Sequence, residues 1–332
     1  MTVYLNQLMT GNHLTRHESY ALFLQMATYP LLQQAEILSA WAKKKETEDE
    51  LLGAMDALLE HSVSIDYPHE VVDIVGTGGD GLKTFNISTA ASLVVASCGV
   101  TVAKHGGRRV ISLSGSTDVL AELGVPMPQT SDASITLLKT RGYAYLWAPL
   151  FNPLLGAFGE VRKQLGIPTI LNTLGPLINP IYPKRQVLGV YNQHLLPIIA
   201  QVLKASGLYH ALVVHSEDGL DEFSMSAPTH VAELRHGLIT EYQVRPEDVG
   251  LKSAPLQDIV GGNSTENANI IRDLFSGKIN DAKLDIVLLN SAAGLLVGNQ
   301  VATLKEGVER ARKAITSGLA ATFLHTLQRT SI

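Results

Sequence analysis

Cysteine occurs once in 332 residues, at Cys98, which excludes a disulfide within the chain. Its neighbours in an apolar helical stretch assign it as a small core residue rather than a nucleophile, which would need an activating group beside it. No uninterrupted apolar run is long enough to span a bilayer, and the N-terminus lacks the basic-then-apolar pattern of a secretory signal. A soluble cytoplasmic protein is therefore the expectation. Positive charge is also short: Lys and Arg number 26 against 31 Asp and Glu, a net charge of −5. That balance argues against a general nucleic-acid footprint but leaves room for a local basic pocket. With 45% hydrophobic and 17% charged residues, the chain has an ordinary globular composition, sufficient for one large domain or two smaller ones. Internal repeats and low-complexity tracts are missing as well.

What the sequence does contain is a valine-rich run, Val71-Val72-Asp73-Ile74-Val75, followed by Gly76-Thr77-Gly78-Gly79-Asp80-Gly81. The run reads as a buried strand, and the glycines let the backbone turn sharply and approach a ligand without Cβ clashes. A helix follows to Cys98, with Ser88 or Thr89 as its expected cap; its N-terminus offers unpaired N–H groups to an anion. Gly76, Gly78 and Gly81 satisfy the dinucleotide pattern G-x-G-x-x-G. That fold, however, wants an acidic residue after the next strand. Here Val100 to Ala103 runs instead into Lys104-His105-Gly106-Gly107-Arg108-Arg109, whose cations suit a second phosphate group.

Upstream, the chain reads as helices. Thr15-x-x-Glu18 and Thr47-x-x-Glu50 have the form of capping boxes, with Leu31 to Ala42 as an amphipathic stretch between them. Lys43-Lys44-Lys45 is expected to be a solvated helix end. The pattern changes near residue 67, after which strands alternate with helices, the mark of a mostly parallel sheet covered on both faces. Strands are expected at 71–75, 100–103, 143–147, 187–191 and 211–215, with helices at 88–97, 117–123, 155–165 and 195–205. His230 to Leu234 and Leu238 to Val244 form a hairpin around His236-Gly237, and helices close the chain from 265, 304 and 319. Asp218-Gly219-Leu220-Asp221-Glu222 follows a strand, and an adjacent carboxylate pair there suits Mg2+, which bridges one or two carboxylates to substrate phosphates.

Taken together, the series Gly76-Thr77-Gly78-Gly79-Asp80-Gly81, Asn86-x-Ser88-Thr89, Lys104-His105-Gly106, Ser114-Gly115-Ser116, Arg162-x-x-Leu165-Gly166, Asn172-x-Leu174-Gly175-Pro176-Leu177-x-Asn179-Pro180 and Asp218-Gly219-Leu220-Asp221-Glu222 resembles the anthranilate phosphoribosyltransferases. The resemblance implies a small N-terminal helical domain, 1–67, to which a helical segment near 160–185 is a candidate addition. It also implies a larger, mostly parallel α/β domain, 68–332, with helices on both faces, and a homodimer formed through the helical domain. The implied reaction is transfer of the phosphoribosyl group from phosphoribosyl pyrophosphate to the amine of anthranilate, releasing pyrophosphate, in tryptophan biosynthesis. By the same resemblance, Gly76, Gly79, Asp80, Thr84, Asn86, Ser88, Thr89, Lys104, Arg108, Ser112 and Ser116 bind the donor. Gly76, His105, Gly107 and Arg162 meet the acceptor, and Ser88, Asp221 and Glu222 hold Mg2+. No general acid or base is assigned, because a displacement at a sugar carbon needs charge stabilisation and alignment more than a strong base.

The acceptor side departs from the family pattern. Gly107 stands in place of Asn, Asn152-Pro153 in place of His-Pro, and Leu155 near a position often held by Tyr, while Arg162 is retained. Two readings stay open on that ground: an anthranilate enzyme with a more apolar acceptor pocket, or a paralogue taking another aromatic acceptor. A nucleoside phosphorylase and a non-catalytic ligand-binding protein are further alternatives, and the acidic pair argues against the former.

Overall fold

Four helices open the chain: α1 (Thr2–Met9), α2 (Arg16–Met26), α3 (Leu31–Lys44) and α4 (Glu48–Glu60). The computed structural model describes residues 2–107 and 114–330. Both capping boxes form as the sequence predicts, Thr15 with Glu18 and Thr47 with Glu50. Glu50 does more than cap. Fully buried, it accepts from the Leu14 N–H at 2.8 Å, Trp41 Nε1 at 3.1 Å, the Thr47 N–H at 3.0 Å and Lys44 Nζ at 2.8 Å. This corrects the reading of the lysine run. Lys43 and Lys45 are exposed, but the Lys44 side chain is only 3% exposed because its ammonium is drawn in to neutralise Glu50.

A seven-stranded sheet follows, β1 (Val72–Gly76), β2 (Val102–Gly106), β3 (Tyr143–Trp147), β4 (Arg185–Gly189), β5 (His210–Ser216), β6 (Thr229–Arg235) and β7 (Leu238–Val244), in the order β3-β2-β1-β4-β5-β6-β7. The first five strands in that order are parallel, and β6 and β7 are antiparallel. Alternation along the strands sorts the side chains. Val72, Ile74, Val187, Leu212 and Val214 join one core, Leu188, Ala211 and Val213 a second, and Ala103, Ala144 and Leu146 a third. On the first face lie α5 (Ile87–Ser97), α6 (Ser116–Glu122) and, from the C-terminal part, α13 (Ser264–Phe275), α14 (Ala282–Val297), α15 (Leu304–Thr316) and α16 (Leu319–Gln328). The second core takes in α12 (Leu195–Ala205) together with the N-terminal helices. The fold is thus an N-terminal helical domain beside a larger, mostly parallel sheet with helices on both faces.

Two helical expectations are corrected, and two helices went unread. The stretch 155–165 is not one helix: α8 (Ala148–Phe151), α9 (Pro153–Gly156) and α10 (Gly159–Leu165) are separate short pieces, followed by α11 (Ile170–Leu174). α7 (Ser131–Arg141) and α14 went unread in the sequence. α14 is buried on nearly all sides, so it has no apolar stripe for periodicity to detect. Finally, α5 takes no side-chain cap from Ser88 or Thr89; the Ser88 N–H instead donates to Glu222 Oε1 at 3.1 Å from a distant loop. Among the described residues, no helix is long and apolar enough to cross a membrane.

Between α3 and α4, Glu46 is 4% exposed and its Oε1 has no hydrogen-bond partner among the described residues. Burial first, and then the Glu50 carboxylate, push its pKa from 4.5 up to about 7. Between those two pH values the folded chain holds a proton that the unfolded chain has released. The stabilising contribution is complete below the unfolded pKa and is lost as pH rises through the folded one. Glu46→Gln should therefore be more stable than the parent at pH 8, by on the order of 3 kcal/mol at most, and nearly equal to it at pH 4.5, as read from urea midpoints.

Candidate active site

The carboxyl ends of β1 and β2 open into a cleft of about 260 Å³, which the loop after β5 also lines. After β1 the backbone turns through positive φ at Gly78, Gly79 and Gly81, conformations open to glycine at little cost. Gly76 and Gly189 sit in register on neighbouring strands, and both lie under Asp221. A Cβ on Gly76 would strike the Asp221 carboxylate, and one on Gly189 would strike its backbone carbonyl. These two strand-end glycines let the acidic loop cross the sheet edge and reach the glycine loop. There Asp221 Oδ2 accepts from the Gly78 N–H at 2.7 Å.

Most of the residues singled out in the sequence meet in this cleft. Gly76, Gly79, Asp80, Thr84, Asn86, Ser88, Lys104, His105, Gly107, Ser116, Arg162, Asp221 and Glu222 all line it. Thr89 does not; it is fully buried within α5, one position past the lining. Arg108 and Ser112, like Arg109 and Leu113, lie outside the described residues.

Charge in the cleft is crowded. Burial and the neighbouring Asp221 carboxylate raise Asp80 to about 8 and Glu222 to about 8, and burial raises Asp221 too. Lys104, itself buried, donates to the Ile74 carbonyl at 2.5 Å and to Ser88 Oγ at 3.3 Å, and burial lowers its pKa against the pull of Asp73, Glu222 and Asp221. Among the described residues, no group of three or more His, Cys, Asp or Glu side chains is placed to hold an ion by itself. Oxygen donors of this kind, short of a closed cage, suit Mg2+, which keeps waters and shares its shell with phosphate. A dication would also favour the ionised carboxylates, which burial first, and at Asp80 and Glu222 the neighbouring Asp221 charge, disfavour.

Arg162 reaches the far side of the cleft from α10. Burial lowers its pKa, and its Nε has no hydrogen-bond partner among the described residues. One supporting residue was missed in the sequence. Asn267, at the start of α13, donates to Asn86 Oδ1 at 2.9 Å and to Ser114 Oγ at 2.8 Å, and accepts from the Gly262 N–H at 2.7 Å. It thereby ties the loop before α5 to the C-terminal helices. The only hint was Gly261-Gly262 ahead of the helix; a Cβ on Gly261 would collide with Asn267 and with the Phe85 backbone.

Residues 2–62 match the family described as glycosyl transferase family, helical bundle domain, and residues 68–321 match glycosyl transferase family, a/b domain. Anthranilate phosphoribosyltransferase from Symbiobacterium thermophilum is 43% identical over 99% of this chain and 97% of its own length. The chain belongs to the anthranilate phosphoribosyltransferase family. The Bacillus subtilis member is 39% identical over 99% of this chain and 98% of its own. Among solved structures, the Thermus thermophilus member superposes with a TM-score of 0.89 at 34% identity, covering 98% of this chain and 99% of that one. The Saccharomyces cerevisiae member, in complex with PRPP and Mg, has a TM-score of 0.89 at 29% identity, covering 98% and 96%.

In this family member the crossing of Asp221 over the two glycines has unequal consequences on either side. Gly76→Ala meets the end of a side chain that can rotate away at the loss of the Gly78 hydrogen bond, whereas Gly189→Ala meets backbone. Thermal unfolding should show Gly189→Ala to be the more destabilised, by about 1–3 kcal/mol or more.

Proposed function

We propose that this chain transfers the phosphoribosyl group of phosphoribosyl pyrophosphate to the amine of anthranilate, with release of pyrophosphate, as a step of tryptophan biosynthesis. The observation that carries this reading is the joining of two loops at one sheet edge. The glycine loop after β1 and the Asp221-Glu222 loop after β5 meet through the Gly78–Asp221 hydrogen bond. A phosphate cradle and a carboxylate pair are thereby one site, as a pyrophosphate leaving group requires.

The donor is held by the backbone of the glycine loop from Gly76 to Asp80 and by Thr84, Asn86, Ser88 and Ser116 around it, with Lys104 opposite its negative charge. Ser88, Asp221 and Glu222 are the residues that would hold Mg2+, with Asp80 beside them. When bound, that ion neutralises charge developing on the departing pyrophosphate. The chain's own part is alignment: it fixes the sugar between the leaving group and the acceptor side of the cleft. On that side Arg162 presents a buried guanidinium whose Nε lacks a partner among the described residues, a deficit that the anthranilate carboxylate would satisfy. Ala148, Leu155 and Pro176 supply apolar walls for the ring.

Gly107 favours keeping a second reading, a paralogue for another aromatic acceptor, because a Cβ built there meets none of the described residues within 4 Å. The pocket has space where the family pattern has an amide. The division into 1–67 and 68–332 is supported by the two family matches over 2–62 and 68–321, and the addition of α10 and α11 to the helical part by their apolar residues sharing a core with the N-terminal helices. Exposed Val3, Met9 and Leu32 on that part provide an apolar surface for a homodimer. A cytoplasmic location accords with a biosynthetic role.

Mixing the protein with phosphoribosyl pyrophosphate and Mg2+ should quench anthranilate fluorescence in a metal-dependent manner. Binding of the donor by calorimetry without any quenching would assign a different acceptor. Asp221→Asn combined with Glu222→Gln should lower kcat at least about a hundredfold with an unchanged circular dichroism spectrum; a turnover that still depended normally on Mg2+ would refute the metal assignment. Gly107→Asn should lower KM for anthranilate by about one decade while KM for the donor stays constant.

A further inference from the structure

His105 stands at the end of β2 with both ring nitrogens engaged. Nδ1 lies 3.0 Å from the Gly175 carbonyl oxygen, and Nε2 lies 3.3 Å from Asn152 Nδ2. The same Asn152 Nδ2 lies 3.3 Å from the Ile178 carbonyl oxygen. Asn152 is completely buried at the junction of α8 and α9.

The direction of each bond follows from the one next to it. A main-chain carbonyl only accepts, so Ile178 requires the nitrogen of the Asn152 amide, not its oxygen, on that side. The amide nitrogen that also faces Nε2 only donates, so Nε2 must present a lone pair. The proton of the neutral ring then resides on Nδ1, where the Gly175 carbonyl accepts it. The opposite tautomer would set two acceptors 3.0 Å apart at one end of the ring and two donors 3.3 Å apart at the other, and an imidazolium would keep the second conflict.

The geometry points to Asn152 as a positioning residue that holds His105 as the neutral Nδ1–H tautomer with its Nε2 lone pair already occupied, so that this histidine is a fixed wall of the acceptor pocket and not a proton acceptor. The groups around the ring agree with a neutral form. Lys104 precedes it on β2, Arg162 lines the same cleft from α10, and Asp73 on β1 spends its Oδ1 on the His105 backbone N–H at 3.2 Å. Burial, with Lys104 adding to it, holds the ring near 4. The family pattern places a titratable histidine where this chain has Asn152; the amide donates at every pH.

The word acceptor rests on the function proposed above, whereas the tautomer does not, and spectra of the substrate-free protein separate the two. In full-length protein labelled with 15N on histidine, the His105 signals are those lost in His105→Gln. Two-bond 1H–15N correlations should place the proton on Nδ1, unchanged from pH 8 to pH 5. A proton on Nε2, or a ring that titrates above pH 6, overturns the proposal. Asn152→Ala should give a mixture of both tautomers; an unmixed Nδ1–H ring would mean that Gly175 alone suffices, and the role of Asn152 falls. Asn152→Asp, which accepts but does not donate, should move the proton to Nε2 or charge the ring. In that variant kcat/KM for anthranilate should gain an ionisation between pH 5 and 8 that the parent lacks, with KM for phosphoribosyl pyrophosphate unchanged within about twofold. An identical pH profile would reduce Asn152 to a packing residue.

Discussion

Asp221 crosses the carboxyl edge of the sheet above two glycines and hands one carboxylate oxygen to the Gly78 N–H, and the geometry of the cleft depends on that contact. The crossing requires strand ends without side chains at Gly76 and Gly189, which are in register on β1 and β4. It brings Glu222 to the N-terminus of α5, where a carboxylate at the positive end of the helix dipole replaces the local cap that Ser88 or Thr89 would have supplied. It also sets three carboxyl groups in a desolvated site, where burial raises all three and the Asp221 charge raises Asp80 and Glu222 further. Electrostatic strain of this kind is relieved by a cation and a polyphosphate arriving together, which relates the folded arrangement directly to phosphoribosyl transfer.

Buried polar hubs do similar work elsewhere. Glu50 gathers the starts and ends of three N-terminal segments through Leu14, Trp41, Lys44 and Thr47, so a residue that begins as a helix cap also sets how the helices are arranged. Asn267 joins the loop before α5 to the C-terminal helices, and Asn152 joins β2 to the short helices of the acceptor side. Each is a buried group whose hydrogen bonds are directional, which makes it specific about geometry in a way that apolar packing is not.

The parts of the site legible in the sequence were those where local chemistry and spacing carry the meaning. A valine run ending in glycines, a basic segment at the next strand and an adjacent carboxylate pair suggest a phosphate and metal site, and the cleft brings together the glycine loop, Lys104, Asp221 and Glu222. Lys104 and His105 belong to β2 itself, and Arg108 and Arg109 lie outside the described residues. The helical domain announced itself through two capping boxes. What escaped was of another kind. α14 is apolar on nearly every side, so periodicity offered nothing to follow, and Asn267 is an ordinary Asn until the fold carries it to Asn86.

By itself, then, the sequence determined the class of elements, the strand–loop–helix order and the chemical kinds of residue available for the site, because these follow from local propensity, backbone freedom and side-chain type. Tertiary structure alone decided that Lys44 turns inward, that Thr89 stays out of the cleft, that Glu222 caps α5 and that Asn152 dictates the proton on His105. Each of those depends on a partner distant in sequence or on the degree of desolvation, and neither quantity exists until the chain has packed.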